Sequence, residues 1–182
     1  DTDRSRGLGD VYKRQIYSRG HRKIAYIHGA MSAVTSGRLS SFYRTAERLG
    51  LEIPDEYIRE AAYRDTTTTY RVTNELLDLP NPPTCIIYPD DFASFGGINA
   101  IRQRGLQIPE DISVAGYDGI QAARQLEPRL TTVQQDTEQI GCLAARELIS
   151  LIERPKTTII EQVIVPGKVA EGKSVARIPT DN

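Results

Sequence analysis

The chain has 182 residues, a formal net charge of -1 and 39% hydrophobic residues. It is long enough to bury a core and lacks the overall basic charge that would indicate nucleic-acid binding by this part of the protein. Its two cysteines, Cys85 and Cys142, show no disulfide framework, which favours a reducing, cytoplasmic compartment. No apolar stretch approaches the roughly 18 residues that a membrane span requires, so no membrane association is expected.

The first 15 residues, DTDRSRGLGDVYKRQ, differ from the rest because they show almost no apolar periodicity. They are similar to translated sequencing-adapter residues at the ends of some environmental sequences. We therefore predict that residues 1–15 are non-native or disordered, and that residues 16–182 form the domain.

From residue 23 the sequence alternates between short apolar runs and segments of helical periodicity. Strands are predicted at 23–28, near 56–63, at 84–88 and at 112–117, and helices at 37–50, 69–79 and 90–105. Among the apolar residues expected on helix faces are Tyr43 and Phe92. This alternation predicts an α/β fold with a parallel sheet flanked by helices, whose strands are buried on both faces.

The alternation stops after Asp118. Residues 119–132 are predicted to be a long connection, and 136–155 form the clearest helical pattern, with Asp136 as its N-cap. The apolar stripe of this helix comprises Ile140, Leu143, Ala144, Leu148, Leu151 and Ile152. Residues 157–178 predict two short strands, one on each side of Pro166 and Gly167.

Charged side chains follow the predicted strands, where parallel sheets bind ligands. Arg38 comes one turn into the helix after the first strand, Asp90 and Asp91 follow the third, and Asp118 ends the fourth. One guanidinium and three carboxylates at one edge suit a ligand with paired hydroxyls, such as a sugar. Phosphate is a poor match because the acids would repel it and no glycine-rich phosphate loop is present.

Each of these residues also has a structural interpretation. Asp90 and Asp91 can cap a helix, Asp118 can form a turn before Gly119, and Arg38 can be solvated. An enzyme of the glycoside hydrolase type is disfavoured because adjacent Asp90 and Asp91 would point in different directions. No nucleophile arrangement or zinc-ligand spacing occurs either, so the chain is expected not to be an enzyme.

Five segments in the same order resemble the effector-binding region of bacterial transcription regulators of the lactose-repressor and galactose-repressor (LacI/GalR) type. They are GHRKIAYI, RLSSFYRTAERLGL, PTCIIYPDDFASFGGINAIRQRGLQIPEDISVAGYDG, PRLTTVQQDTEQIGCLAARELISLIE and VIVPGKVAEGKSV. The resemblance covers roughly residues 18–178. It implies a periplasmic-binding-protein-like pair of α/β subdomains with a sugar or similar small metabolite in the cleft, and no cofactor or metal.

The resemblance also implies ligand-binding roles. Arg38 matches the effector-binding arginine, Asp118 the acid of the family's GYD motif, and Gln135 the glutamine of its QD motif. Asp90 stands where the family often has Asn or Ser, which leaves the sugar preference open. Tyr63 lies in a segment that often places an aromatic ring on the ligand.

The family binds operator DNA through an N-terminal helix-turn-helix domain, usually as a homodimer, and this sequence contains no such domain. Residues of about 18–133 and 162–178 match the C-terminal subdomain, and about 134–161 match a segment of an incomplete N-terminal one. The apolar stripe of the last helix is therefore predicted to be exposed. The alternative is a periplasmic sugar-binding component of a transporter, because fold analogy alone does not separate the two functions.

Overall fold

A computed structural model describes residues 14–157, 159 and 162–179, which build one six-stranded sheet with helices on both faces. The strands are β1 (Ile24–His28), β2 (Ile58–Glu60), β3 (Cys85–Ile87), β4 (Ser113–Asp118), β5 (Thr131–Gln134) and β6 (Lys168–Ala170). Their order is β2-β1-β3-β4-β5-β6; β1 to β5 run parallel, and β6 is antiparallel to β5. The predicted parallel α/β sheet is confirmed.

The longer helices in the described part of the chain are α1 (Ala33–Arg48), α2 (Thr66–Leu77), α3 (Asp91–Gln103) and α4 (Thr137–Glu153), and the described residues 14–18 are helical as well. Short 3₁₀ turns at Asp55–Tyr57 and Gln121–Gln125 precede β2 and follow β4.

The central strands are covered on both sides, as their continuous apolar sequence predicts. In β1 all five residues are buried, and alternate side chains point to opposite faces. On one face Tyr26 stacks on Phe42 of α1, with ring centroids 5.0 Å apart. On the other face Ala25 and Ile27 join a core with residues of α2 and α3. The sheet is therefore the middle layer of a three-layer sandwich.

Helices α2 and α3 pack closely because glycine lies at their contact. A Cβ atom at Gly96 would lie 1.9 Å from the Thr66 carbonyl oxygen, so only glycine allows this approach. Val72, Leu76 and Ile101 are buried beneath the pair. This packing fixes the start of α3, which carries Asp90 and Asp91, against the sheet.

Helix α4 behaves differently. Asp136 caps it as predicted, accepting a hydrogen bond of 3.0 Å from the Gln139 N–H. Every residue of α4 is described and none is buried. Ile140 is 40% exposed, Leu148 59% and Ile152 71%, and Leu143 is half-buried. The prediction that this apolar stripe is exposed is therefore confirmed.

Several details of the sequence prediction were wrong. The connection at 119–132 contains the start of β5, whose Thr131 and Thr132 lack the apolar character expected of a buried strand. Of the two strands predicted around Pro166, the described residues show only β6, and 162–167 have no regular structure. Phe92 and Tyr43 are 45% and 41% exposed because they lie beside, and not on, the buried faces of their helices.

The prediction for residues 1–15 falls almost entirely outside the described residues. Within the described part of the chain, no helix has both the length and the apolar character needed to cross a bilayer.

Candidate functional site

The carboxyl ends of β1, β3 and β4 lie at one edge of the sheet because these strands are parallel neighbours. The residues that follow them, together with the start of α1 and the loop at 63–65, form a surface that we name the rim. Four of the five residues predicted to bind a ligand are placed there, namely Arg38, Tyr63, Asp90 and Asp118, and the fifth, Gln135, follows β5 and borders the rim.

Arg38 projects from α1 and is held by two contacts. Its Nη1 donates a hydrogen bond of 3.1 Å to the carbonyl oxygen of Pro89, the residue before Asp90. Its guanidinium carbon lies 3.6 Å from the centre of the Tyr117 ring and 6.0 Å from that of Tyr63. The stacking fixes the plane of the guanidinium, whose other N–H groups donate to none of the described residues.

Tyr63 closes the rim on the β1 side. Its hydroxyl group and that of Thr35 are 2.9 Å apart and share a hydrogen bond. Its ring lies against Gly29, where a Cβ atom would be 2.2 Å from the ring. The side chain is thus fixed at its tip, while 38% of the residue remains exposed.

Asp118 ends β4 with its backbone in the left-handed region, at a φ of 109°. Such a conformation costs a non-glycine residue on the order of 1–3 kcal/mol. Its Oδ1 accepts a hydrogen bond of 2.6 Å from Gln135 Nε2, and its carbonyl oxygen accepts one of 3.1 Å from the Gln135 N–H. Gln135 therefore orients Asp118 through both main chain and side chain.

The pKa of Asp118 is raised above its ordinary value, chiefly because the carboxyl is partly buried. Arg38 lowers this pKa through its positive charge, as does the Gln135 hydrogen bond, while Asp90 raises it. Arg38 and Asp118 are thus close enough to interact electrostatically, yet the described residues show no direct ion pair between them.

Asp90 is 2% exposed and uses both carboxylate oxygens within the protein. Oδ1 accepts from the Ala93 N–H at 2.7 Å and so caps α3, and Oδ2 accepts from the Arg64 N–H at 2.8 Å. The second bond holds the loop that carries Tyr63, where Arg64 has a φ of 60°. The capping alternative is therefore realised, and Asp90 shapes the rim from below.

Asp91 turns away from the rim. It is fully buried, and its Oδ2 accepts from the Gly119 and Ile120 N–H groups at 2.7 and 2.9 Å, while Oδ1 accepts from the Thr132 hydroxyl at 2.6 Å. Burial raises the pKa of Asp91 to about 6, although these three hydrogen bonds lower it. Of the three carboxylates expected at this edge, only that of Asp91 links α3 to the end of β4 by hydrogen bonds inside the protein.

Sequence reasoning missed two features of the rim. Tyr117 was not considered, although strand alternation places it on the α1 face, opposite to Asp118, where a helical arginine can stack on it. The inward turn of Asp91 depends on Thr132, which lies in the strand that the sequence did not predict.

The rim combines a fixed guanidinium with free N–H donors, a carboxylate with one oxygen free of described partners, and two tyrosine rings. Donors and acceptors that lie near each other on a half-polar surface suit a small molecule with several hydroxyl groups. A neighbouring concave surface is lined by Gln134, Gln135, Asp136, Thr137, Glu138, Pro166 and Lys168, so Gln135 lies between it and the rim. The described residues contain no group of three or more His, Cys, Asp or Glu able to hold a metal ion.

A family model described as a periplasmic binding protein-like domain matches residues 14–175. Among curated proteins, the chain is 34% identical over 174 residues to the HTH-type transcriptional repressor PurR of Serratia proteamaculans, covering 94% of this chain and 50% of that protein. It is 35% identical over 162 residues to the probable HTH-type transcriptional repressor ExuR of Bacillus subtilis, covering 88% and 48%. The chain thus spans about half the length of these relatives.

Solved structures give the same fold. A transcriptional regulator named LacI from Bacillus cereus subsp. cytotoxis superposes with a TM-score of 0.88 at 27% identity, covering 98% of this chain and 63% of that one. A LacI family regulator from Enterococcus faecium with bound ribose superposes with a TM-score of 0.85 at 24% identity, covering 97% and 65%. At that identity the second similarity concerns the fold.

Proposed function

This chain belongs to the periplasmic binding protein-like domain family, as a LacI/GalR-type effector-binding region, and from this membership we propose that it is the metabolite-sensing part of a DNA-binding transcription regulator. Its effector is a small polyhydroxylated molecule, most simply a sugar, bound at the rim. Effector binding changes the affinity of the whole protein for operator DNA.

One observation carries the effector class. Arg38 is held by Tyr117 and Pro89 next to Asp118, without forming an ion pair with it. A guanidinium and a carboxylate that do not satisfy each other are left to donate to and accept from a third molecule. Charge-assisted hydrogen bonds of this kind contribute about 1.5–3 kcal/mol each, which suffices for selective binding of a small polyol.

In this proposal Gln135 and Tyr63 support the two charged residues. Gln135 orients Asp118 and borders the neighbouring concave surface. Tyr63 offers an exposed ring to the apolar face of a sugar. Asp90 acts mainly by capping α3 and holding the Tyr63 loop, because both of its oxygens are already used.

DNA binding is proposed for a part of the full-length protein that lies outside this chain. A second subdomain is proposed to cover the exposed apolar face of α4. Residues of about 134–161 belong to that second subdomain, and the functional unit is a cytoplasmic homodimer. The repressor relatives favour this role over that of a transporter component. The effector acts by preferring one of two subdomain arrangements, with a coupling typically of about 1–3 kcal/mol.

The test is calorimetric titration of the full-length protein with aldopentoses, aldohexoses, disaccharides and uronic acids. We expect at least one to bind, and Arg38→Ala and Asp118→Ala each to weaken that binding at least tenfold while the fold is retained. Arg104→Ala and Asp78→Ala are matched controls, because this exposed ion pair of 2.7 Å joins the ends of α2 and α3 away from the rim.

Unchanged affinity in both Arg38→Ala and Asp118→Ala would remove these residues from the site. Binding of no polyol by a folded full-length protein would reject the effector class. A full-length sequence that begins with a secretion signal instead of a helix-turn-helix would favour transport over regulation.

A further inference from the structure

The carboxylate of Asp91 is buried and accepts three hydrogen bonds, none of them from a side chain predicted to bind the ligand. Its partners are the two N–H groups that directly follow Asp118 and a hydroxyl of β5. We propose that Asp91 is a positioning residue, which holds the end of β4 in the backbone conformation that presents Asp118 to the rim. The proposal deepens the proposed function, because it concerns how the effector-binding carboxylate is aimed.

The backbone at this point requires such a restraint. Asp118 has a φ of 109° and Gly119 a φ of 75°, so two consecutive residues lie in the region that L-residues rarely adopt. The Gly119 and Ile120 N–H groups point inward to the same oxygen of Asp91, at 2.7 and 2.9 Å. Without that acceptor, two partly buried donors would be left unsatisfied, and the chain would gain by turning them toward water.

Such a relaxation would move Asp118. Changing φ at Asp118 rotates the main chain on either side of its Cα and therefore redirects its carboxylate away from Gln135. The hydrogen bond of 2.6 Å from Gln135 Nε2 to Asp118 Oδ1 shows the direction in which the Asp118 carboxylate points in this structure. Asp91 thus acts on the rim through two hydrogen bonds to the main chain, without contacting a ligand.

Gly116 provides an independent reason to assign this role. A Cβ atom at Gly116 would lie 2.2 Å from Asp91 Oδ1 and 2.7 Å from Leu130 Cδ2. The residue has an ordinary φ, so its glycine is required for space and not for backbone conformation. The glycine of the GYD segment therefore makes room for the Asp91 carboxylate beside β4.

The chemistry predicts which substitutions preserve the function. In Asp91→Asn, the amide oxygen still accepts from Gly119 and Ile120, and the amide N–H₂ donates to the Thr132 hydroxyl oxygen, which reverses that bond. In Asp91→Leu, the side chain keeps the same branching and number of heavy atoms, but all three acceptor interactions are lost. Gly116→Ala leaves Asp91 in the sequence but displaces its carboxylate.

The experiment compares these three variants with the wild type in the full-length protein. The first readout is hydrogen–deuterium exchange without ligand. In Asp91→Leu and Gly116→Ala we expect exchange of residues 116–122 to be at least tenfold faster, while β1 and β3 exchange as before. Asp91→Asn is expected to stay within threefold of the wild type throughout. Leu76→Ala, a core variant remote from the rim, is the control for general destabilisation.

The second readout is calorimetric titration with the same aldoses, disaccharides and uronic acids. Asp91→Leu and Gly116→Ala should bind the wild-type sugar at least tenfold more weakly, Asp91→Asn within threefold, and Leu76→Ala unchanged. Uniform acceleration of exchange across the sheet, or weakening in Asp91→Asn equal to that in Asp91→Leu, would overturn the positioning role. If no sugar binds the wild type, the effector class fails, and the exchange of residues 116–122 alone decides whether Asp91 holds the end of β4.

Discussion

Helices α3 and α4 begin alike and end up in opposite surroundings. Each is capped by an aspartate, Asp90 or Asp136, whose side chain accepts from the N–H three residues later. Each shows apolar residues at helical spacing. Yet α3 buries eight residues against the sheet and α2, whereas α4 buries none.

The difference teaches that a sequence pattern specifies a helix and its apolar face, but not what covers that face. Amphipathic spacing and a cap act within one segment. Coverage depends on elements far away in sequence or outside the chain. The apolar stripe of α4 is more regular than that of α3, so regularity of pattern is no measure of burial.

The largest expected effect tests this contrast with matched substitutions. Ile101 of α3 is fully buried and Ile152 of α4 is 71% exposed. Ile101→Ala should lower the free energy of unfolding of this chain by about 2–5 kcal/mol, because it leaves a cavity. Ile152→Ala should change it by less than about 0.5 kcal/mol. Urea denaturation measures both.

An equal loss of unfolding free energy in the two variants would contradict the exposure of α4. Ile152→Ala should also be measured in the full-length protein. If a second subdomain covers α4 there, as proposed, the same substitution becomes destabilising.

The next effect concerns the first residue of α3. Asp91 has a pKa of about 6 in the folded protein against an ordinary 3.8, mainly because it is buried. The folded state therefore binds more protons than the unfolded state between pH 3.8 and 6. The contribution of this group to stability is greatest below that window and is lost as the pH rises through it, by on the order of 3 kcal/mol.

Asp91→Asn removes this titration. The free energy of unfolding of the wild type minus that of Asp91→Asn should therefore grow by a few kcal/mol as the pH falls from 7 to 4. Denaturant titrations at several pH values measure the difference, in which other titrating groups cancel. Parallel pH curves for the two proteins would show that the carboxylate does not have a raised pKa.

Much of the fold could be predicted because alternation of apolar runs and helical periods carries the information locally. Strand β5 was not predicted because Thr131 and Thr132 are polar. Their burial results from pairing with β4 and β6, and the local sequence gives no sign of that pairing. The first of the two predicted C-terminal strands, before Pro166, was over-predicted from the apolar residues around Val163, which remain half exposed.

The sequence allowed a prediction of which residues lie near each other at the rim, because neighbouring parallel strands have their carboxyl ends at the same edge of the sheet. Their individual roles were not predictable. Asp90 and Asp91 are adjacent in sequence, yet one caps α3 at the rim and the other ties β4 from within. That division is set by side-chain rotamers and by partners on three different elements.

A smaller effect compares the two caps. Asp90→Ala should cost about 2 kcal/mol, because it leaves the N–H groups of Ala93 and Arg64 without their acceptor in a buried place. Asp136→Ala should cost about 1 kcal/mol or less, since water can replace the exposed cap. The first loss should appear in global unfolding, and the second only as faster hydrogen exchange in the first turns of α4. A global loss in Asp136→Ala would mean that α4 unfolds together with the sheet.

The smallest effect has the opposite sign. Gly141 lies inside α4 with no heavy atom within 4 Å of the place where a Cβ would stand. Gly141→Ala should therefore stabilise the helix by up to about 1 kcal/mol, because alanine loses less backbone entropy and meets no neighbour. Slower hydrogen exchange across residues 137–153 measures the gain. The counterpart Gly96→Ala in α3 must destabilise, because its Cβ would overlap the Thr66 carbonyl. Loss of stability in Gly141→Ala would show that another part of the chain packs on α4.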